Sequence, residues 1–151
     1  MRRMLGWGSL LILLAVNLGA CASMGSDTPA APSLYKRLGG REGIAIVVDD
    51  FVANMVADAR VNARFKDMKP PEVSKLKSNL ADQICDATGG PCSYLGRDMK
   101  TTHAGMKITE GEWNATVENL VKALDKNNVS AGAKQELLGA LGPMKKDIVG
   151  Q

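Results

Sequence analysis

His103 is the only histidine in a chain of 151 residues. It lies in Met99-Lys100-Thr101-Thr102-His103-Ala104-Gly105-Met106-Lys107-Ile108-Thr109, just ahead of a strong helix start. One histidine cannot supply a metal centre built on two imidazoles, and the cysteines and carboxylates lack the spacing of a four-ligand zinc site. A single neutral imidazole nitrogen can, however, serve as the one axial ligand of a haem iron. The alternative is a hydrogen-bonded surface histidine that holds nothing. Nucleophilic catalysis lacks an elbow of the form Gly-x-Ser-x-Gly. No Gly-x-Gly-x-x-Gly following a strand marks a flavin or nicotinamide site.

The next chemistry-bearing residue is Cys21. Met1-Arg2-Arg3 is a basic start, and Leu5, Trp7, Leu10 to Ala15 and Val16 form an apolar run. These are the two leading regions of a secretory signal. The run is short of the ~20 residues of a comfortable spanning helix. It ends at Leu18-Gly19-Ala20-Cys21, which resembles the lipobox of bacterial lipoproteins. The resemblance implies cleavage before Cys21 and acylation of that cysteine. An ordinary signal peptide or an uncleaved anchor remains the alternative. Several acyl chains at about 0.8 kcal/mol per buried methylene make a lasting membrane anchor. Ala22 and Ser23 follow, and the absence of Asp at the second mature position points to the outer membrane, with the protein facing the periplasm.

Of 19 basic residues, Arg2 and Arg3 belong to the signal, leaving 17 against 16 acidic ones. The remainder is close to neutral, and nucleic acid, which needs clustered Lys and Arg, is not an expected partner. Residues 1–20 thus read as a signal peptide and 21–32 as the lipidated cysteine with a small, polar tether. Residues 33–151 are enough for one domain with one core. Cys85 and Cys92 remain. An oxidising compartment would let them pair, but a helix end and a glycine turn separate them, and on that geometry two free thiols are expected. The lack of Cys-x-x-Cys-His argues against covalent haem attachment of the c type.

The elements that must position His103 read as helices throughout. Leu34 to Leu38 forms a short turn stopped by Gly39-Gly40. A longer helix spans about Glu42 to Ala59, with Ile44, Val47, Val48, Phe51, Met55 and Val56 on one face. A short piece covers Val61 to Phe65. Pro70-Pro71 opens another helix, striped by Val73, Leu76, Leu80 and Ile84 and ended by Gly89-Gly90-Pro91. Pro91 to Lys107 is weakly patterned and should be a long loop with a short helix carrying His103. Long loops in small domains are uncommon unless functional. Thr109 and Glu112 form a capping box for a helix burying Trp113, Val117, Leu120, Val121 and Leu124. Ser130 caps the last helix, through Leu137, Leu138, Leu141, Met144 and Ile148, which Pro143 should kink or loosen. The fold class is all-α.

Taken in order, several of these pieces resemble the group 1 truncated haemoglobins. They are Leu34-Tyr35-Lys36-Arg37-Leu38-Gly39-Gly40-Arg41-Glu42-Gly43-Ile44, Val48-Asp49-Asp50-Phe51, Ala57-Asp58 through Phe65, and Gly89-Gly90-Pro91. Tyr94 with Gly96-Arg97-Asp98-Met99, and His103-Ala104-Gly105 before Ile108-Thr109, complete the series. Each is weak alone; the joint signal spans residues 34–149. The resemblance implies a truncated globin domain in 33–151, two pairs of antiparallel helices sandwiching a non-covalent haem b. It implies that His103 is the proximal iron ligand, that Phe65 packs on the ring, and that Met99 and Met106 border its proximal side. It places Phe51, Leu76 and Leu80 on the ligand side, although for Phe51 plain core packing is an equal alternative.

The departures from that family matter as much. Many members carry a tyrosine after the residue matching Phe51, and its hydroxyl donates to the gas ligand; here Val52 stands there. A glutamine common on the E helix is replaced by Leu80, and Gln83 is a turn away. The expected result is weak binding and fast release of oxygen, with carbon monoxide and nitric oxide less affected. The resulting expectation is a membrane-tethered haem protein that binds a diatomic gas. An enzyme performing nitric oxide dioxygenation or peroxidation, which would need an electron donor, and a haem-free helical scaffold are the alternatives.

Overall fold

The structure, a computed structural model, describes residues 31–151, so the signal, Cys21 and most of the tether lie outside the described residues. Six α-helices follow in order: α1 Leu34–Arg37, α2 Gly40–Ala57, α3 Pro70–Ala87, α4 Met99–His103, α5 Glu110–Lys126 and α6 Ala131–Leu141. Two 3-10 segments, Asn62–Phe65 and Gly142–Asp147, join them. Among the described residues there is no strand, only an isolated bridge between Ile108 and Val149. No helix among them is long and apolar enough to cross a membrane.

The expected boundaries hold within about two residues, and the exceptions have local causes. α2 starts at Gly40 rather than Glu42 because Gly39 (φ +84°) and Gly40 (φ +66°) take left-handed angles that turn the chain directly into the helix. Gly43 is required for a different reason. A Cβ there would lie 2.2 Å from the Leu38 carbonyl oxygen. Pro143 stops the α-helix at Leu141, since its ring lacks an N–H and clashes with the preceding turn, and the chain continues as 3-10. The Thr109–Glu112 capping box forms as expected, and Ser130 caps α6 through the Ala133 N–H.

α2 is the central element and packs on both α3 and α5. It buries Ile44, Val47, Val48, Phe51 and Val52, spaced by three, four or one residues along one broad face. Val56, expected inward, is 49 % exposed because the face has rotated past it by the last turn. Leu120 and Leu124 of α5, Ile84 of α3 and Leu137 of α6 close the core from the other sides.

The two cysteines are joined, contrary to the expectation of free thiols: Cys85 and Cys92 form a disulfide with Cα atoms 5.8 Å apart. Gly89 at φ +76° reverses the chain at once after α3, and the Gly90 N–H donates to the Cys85 carbonyl at 2.8 Å. The turn that was expected to separate the thiols therefore brings them within bonding range. A Cβ at Gly90 would sit 2.5 Å from Cys85 Sγ and 2.6 Å from the Tyr35 ring, so only glycine fits. Reduction, or the double change Cys85→Ser and Cys92→Ser, should lower the unfolding free energy by about 2 kcal/mol for so short a loop. Thermal unfolding with and without reductant should then show a midpoint loss of roughly 6–10 °C. An unchanged midpoint would contradict the bond.

Candidate functional site

His103 is the last residue of α4, a helix of five residues. So short a helix has little stability of its own, and its position comes from its ties. The Asp98 carboxylate caps it by accepting the Thr101 N–H at 2.8 Å. That bond, the largest influence on it, holds the Asp98 carboxyl below the usual carboxylate range. The approach to α4 is knitted by Tyr94, whose hydroxyl donates to the Arg97 carbonyl at 2.8 Å while its ring covers Gly96. The Tyr94 N–H donates to Asp86 on α3 at 3.1 Å. The weakly patterned stretch after Pro91 is thus ordered by side chains rather than by helix periodicity, which is why the sequence showed so little pattern there.

The imidazole itself is half-buried, with Nδ1 2.8 Å from the Met99 carbonyl oxygen. A carbonyl can only accept, so Nδ1 carries the proton and Nε2 keeps its lone pair. Nε2 makes no hydrogen bond among the described residues. A backbone bond of this kind is the usual device that orients a metal-binding histidine and fixes its tautomer.

His103 lines a cavity of about 620 Å³, inside the range of about 300–1,000 Å³ usual for small-molecule and cofactor sites. Phe51 and Val52 of α2 reach it, although both also belong to the buried core, so core and wall are one role for these residues. Leu76 and Leu80 contribute from α3, Phe65 from the 3-10 turn, and Met99 and Met106 from the histidine's own segment. All eight residues singled out around a cofactor in the sequence therefore meet in one space. A second hollow of about 430 Å³ shares Leu76, Leu80, Gln83, Met99, Thr102 and His103 with the first. It opens between α3 and the Tyr94–Arg97 loop, beside Lys75 and Arg97.

Several wall residues carried no signal in the sequence. Trp113 and Val117, expected in the core as part of the α5 stripe, are half-buried and face the cavity. Gln83, placed a turn too far from the ligand side, lines the cavity as well. Its amide donates only to the thioether sulfurs of Met99 (3.4 Å) and Met144 (3.5 Å), both weak acceptors. The other neutral donors are committed: Thr102 to the Arg97 carbonyl and Thr116 to the Glu112 carbonyl. Met144, Leu138, Leu141 and Ile148 arrive from α6 and the 3-10 segment after it.

One ion pair stands in the wall. Arg64 Nε donates to Glu112 Oε1 at 2.7 Å, with side chains 33 % and 17 % exposed. The guanidinium, then the Thr109 N–H, pushes the Glu112 carboxyl down to about 2 against a smaller opposing effect of burial. Glu112 raises Arg64 in return. Arg64 adjoins Phe65 in sequence, and nothing in the chain short of the fold announces that it reaches α5.

A family model for bacterial-like globins matches residues 33–149. The group 1 truncated hemoglobin GlbN of Mycolicibacterium paratuberculosis is 31 % identical over 116 residues, covering 77 % of this chain and 83 % of that protein. The truncated hemoglobin of Tetrahymena pyriformis in its Fe(III) form superposes with a TM-score of 0.74 at 27 % identity, over 80 % of this chain and all of that one. The 2/2 hemoglobin of Synechococcus, solved in the cyanomet state with covalently attached heme, gives 0.71 at 30 % identity over 78 % of this chain and 98 % of that one. With a family match across the whole described domain and an all-helical truncated globin fold, the chain belongs to the bacterial-like globins.

Proposed function

We propose that this protein holds a non-covalent haem b through His103 and binds a diatomic gas on the opposite side. The observation that carries the proposal is the state of the imidazole: the chain's only histidine lines the large apolar cavity with Nδ1–H fixed on Met99 and Nε2 free. The residues fit a flat, mostly apolar group. α3 supplies Leu76 and Leu80 on one wall, while α4 and its continuation supply Met99, His103 and Met106 on the other. Phe65 closes an end. When bound, haem supplies an iron that takes an imidazole on one side and a gas molecule on the other.

The chain's own residues then decide which gas. The walls from α2 and α3 present Val52, Leu76 and Leu80, which exclude water and donate no hydrogen bond. Such a site favours ligands that gain little from a donor, carbon monoxide and nitric oxide over oxygen. A role as a nitric oxide sensor, scavenger or carrier suits that polarity. The disulfide is in keeping with an oxidising compartment. With the signal-like start and the Leu18–Cys21 motif, it supports our reading of a lipid-anchored protein facing the periplasm, in the outer membrane.

Titrating the purified protein with haem and then carbon monoxide tests the core of this reading. One haem per chain with a Soret band that moves on adding carbon monoxide is expected. A well-folded helical protein that stays colourless would instead support a haem-free scaffold.

A further inference from the structure

The backbone that follows the histidine helix is held by a single guanidinium from the far side of the cavity. Arg64 Nη1 donates to the Met106 carbonyl at 2.9 Å while its Nε donates to Glu112. The Met106 N–H donates in turn to the His103 carbonyl at 3.0 Å. Glu112 Oε2 accepts both the N–H and the hydroxyl of Thr109, each at 2.9 Å. A continuous hydrogen-bonded path thus runs from the turn carrying Phe65 to His103, with a branch to the first turn of α5.

Strained backbone lies beside this path. Lys107 takes φ +49°, in the left-handed region that a residue with a Cβ adopts only when its neighbours over-determine it. On one side the Lys107 N–H donates to the Gln151 carbonyl at 2.6 Å, and the Ile108 carbonyl accepts from Gly150 at 2.9 Å. On the histidine side the only side-chain tie to residues 104–107 among the described hydrogen bonds comes from Arg64. An ammonium could not readily take its place, because the two acceptors are met by two separate N–H groups of one rigid fork.

We propose that Arg64 is a positioning residue for His103. By clamping the Met106 carbonyl it fixes the turn that carries the imidazole, and Glu112 keeps the clamp in place. The consequence for iron rests on the haem reading above. The clamp itself is a property of the chain without cofactor.

Because His103 is the only histidine, its imidazole nitrogens give a single pair of signals in long-range proton–nitrogen NMR. The full-length protein, cofactor-free and haem-loaded, would be compared with Arg64→Met, Arg64→Lys and Glu112→Gln. Arg64→Met should shift or broaden both imidazole signals in the cofactor-free protein. It should also move the iron–histidine stretching band of the ferrous protein and speed haem transfer to an acceptor apoprotein about 10-fold. Arg64→Lys should recover part of each change, and Glu112→Gln should fall between, since the Met106 bond can survive it. Wild-type imidazole signals and haem-transfer rate in Arg64→Met, whatever its melting temperature, would overturn the proposal. Should Arg64→Met not fold, wild-type values in both other variants would do the same. If the wild-type protein shows no iron–histidine band but the cofactor-free imidazole still responds to Arg64, the haem reading fails and the clamp stands.

Discussion

Changing His103 to glycine should lower haem affinity by on the order of 100-fold or more, and free imidazole added to the variant should restore much of it. Loss of an orienting partner alone commonly costs a metal site about 10–100-fold, so loss of the ligand should cost at least that much. The chain offers no second imidazole to take over. The small cavity left by glycine admits imidazole, which can occupy the vacated position without the tether of the backbone. The measurement is a haem titration followed at the Soret band, with and without imidazole. A glycine variant that keeps wild-type affinity and spectrum would assign the iron to another side chain, with the cavity-lining methionines the first to examine.

The second large effect should follow from putting a donor back. Val52 is 3 % exposed on α2 and faces the same space as Leu76 and Leu80 of α3. Val52→Tyr brings a hydroxyl to that wall. One net hydrogen bond contributes about 0.5–1.5 kcal/mol, more if the ligand carries charge. Oxygen release should therefore slow by up to about 10-fold, the factor that 1.4 kcal/mol represents. Carbon monoxide release should change far less, because the gain depends on a polarised ligand. Stopped-flow displacement of each gas measures both rates. Equal changes for the two gases would indicate a steric effect, and no change for oxygen would mean that Val52 does not face the bound gas. Replacing Leu80 with glutamine as well should add a further gain if the two donors reach the ligand independently.

These two experiments concern residues of very different legibility. His103 stood out in the sequence as the sole imidazole, and its neighbourhood of weak pattern marked a segment ordered by something other than helix period. The apolar stripes were equally plain, but their partners were not. Leu120 and Leu124 pack in the core, while Trp113 and Val117 of the same helix are half-buried and border the cavity. Periodicity reports which face of a helix avoids water. It does not report whether that face meets another side chain or a space shaped for a ligand, since both are apolar.

Arg64 and the disulfide show the same limit from the polar side. A surface arginine beside Phe65 is chemically unremarkable until α5 and the segment after His103 come within 3 Å of it. The cysteines looked separated by a helix end and a glycine turn, yet the left-handed angle at Gly89 makes that turn the means of joining them. Side-chain pairing across 48 residues, or across one reversed turn, depends on backbone angles that composition and spacing leave open.

The sequence by itself determined the all-α class, the helix starts and stops, and the family. Those follow from local chemistry: capping hydroxyls and carboxylates, prolines without an N–H, glycines free to take positive φ, and apolar residues three or four apart. Only the tertiary structure decided that His103 holds its proton on Nδ1, that Gln83 reaches the cavity, and that Arg64 spans from the Phe65 turn to Met106 and Glu112. Each of these depends on the relative placement of helices distant in sequence, which is set by how their faces pack together and not by any one segment alone.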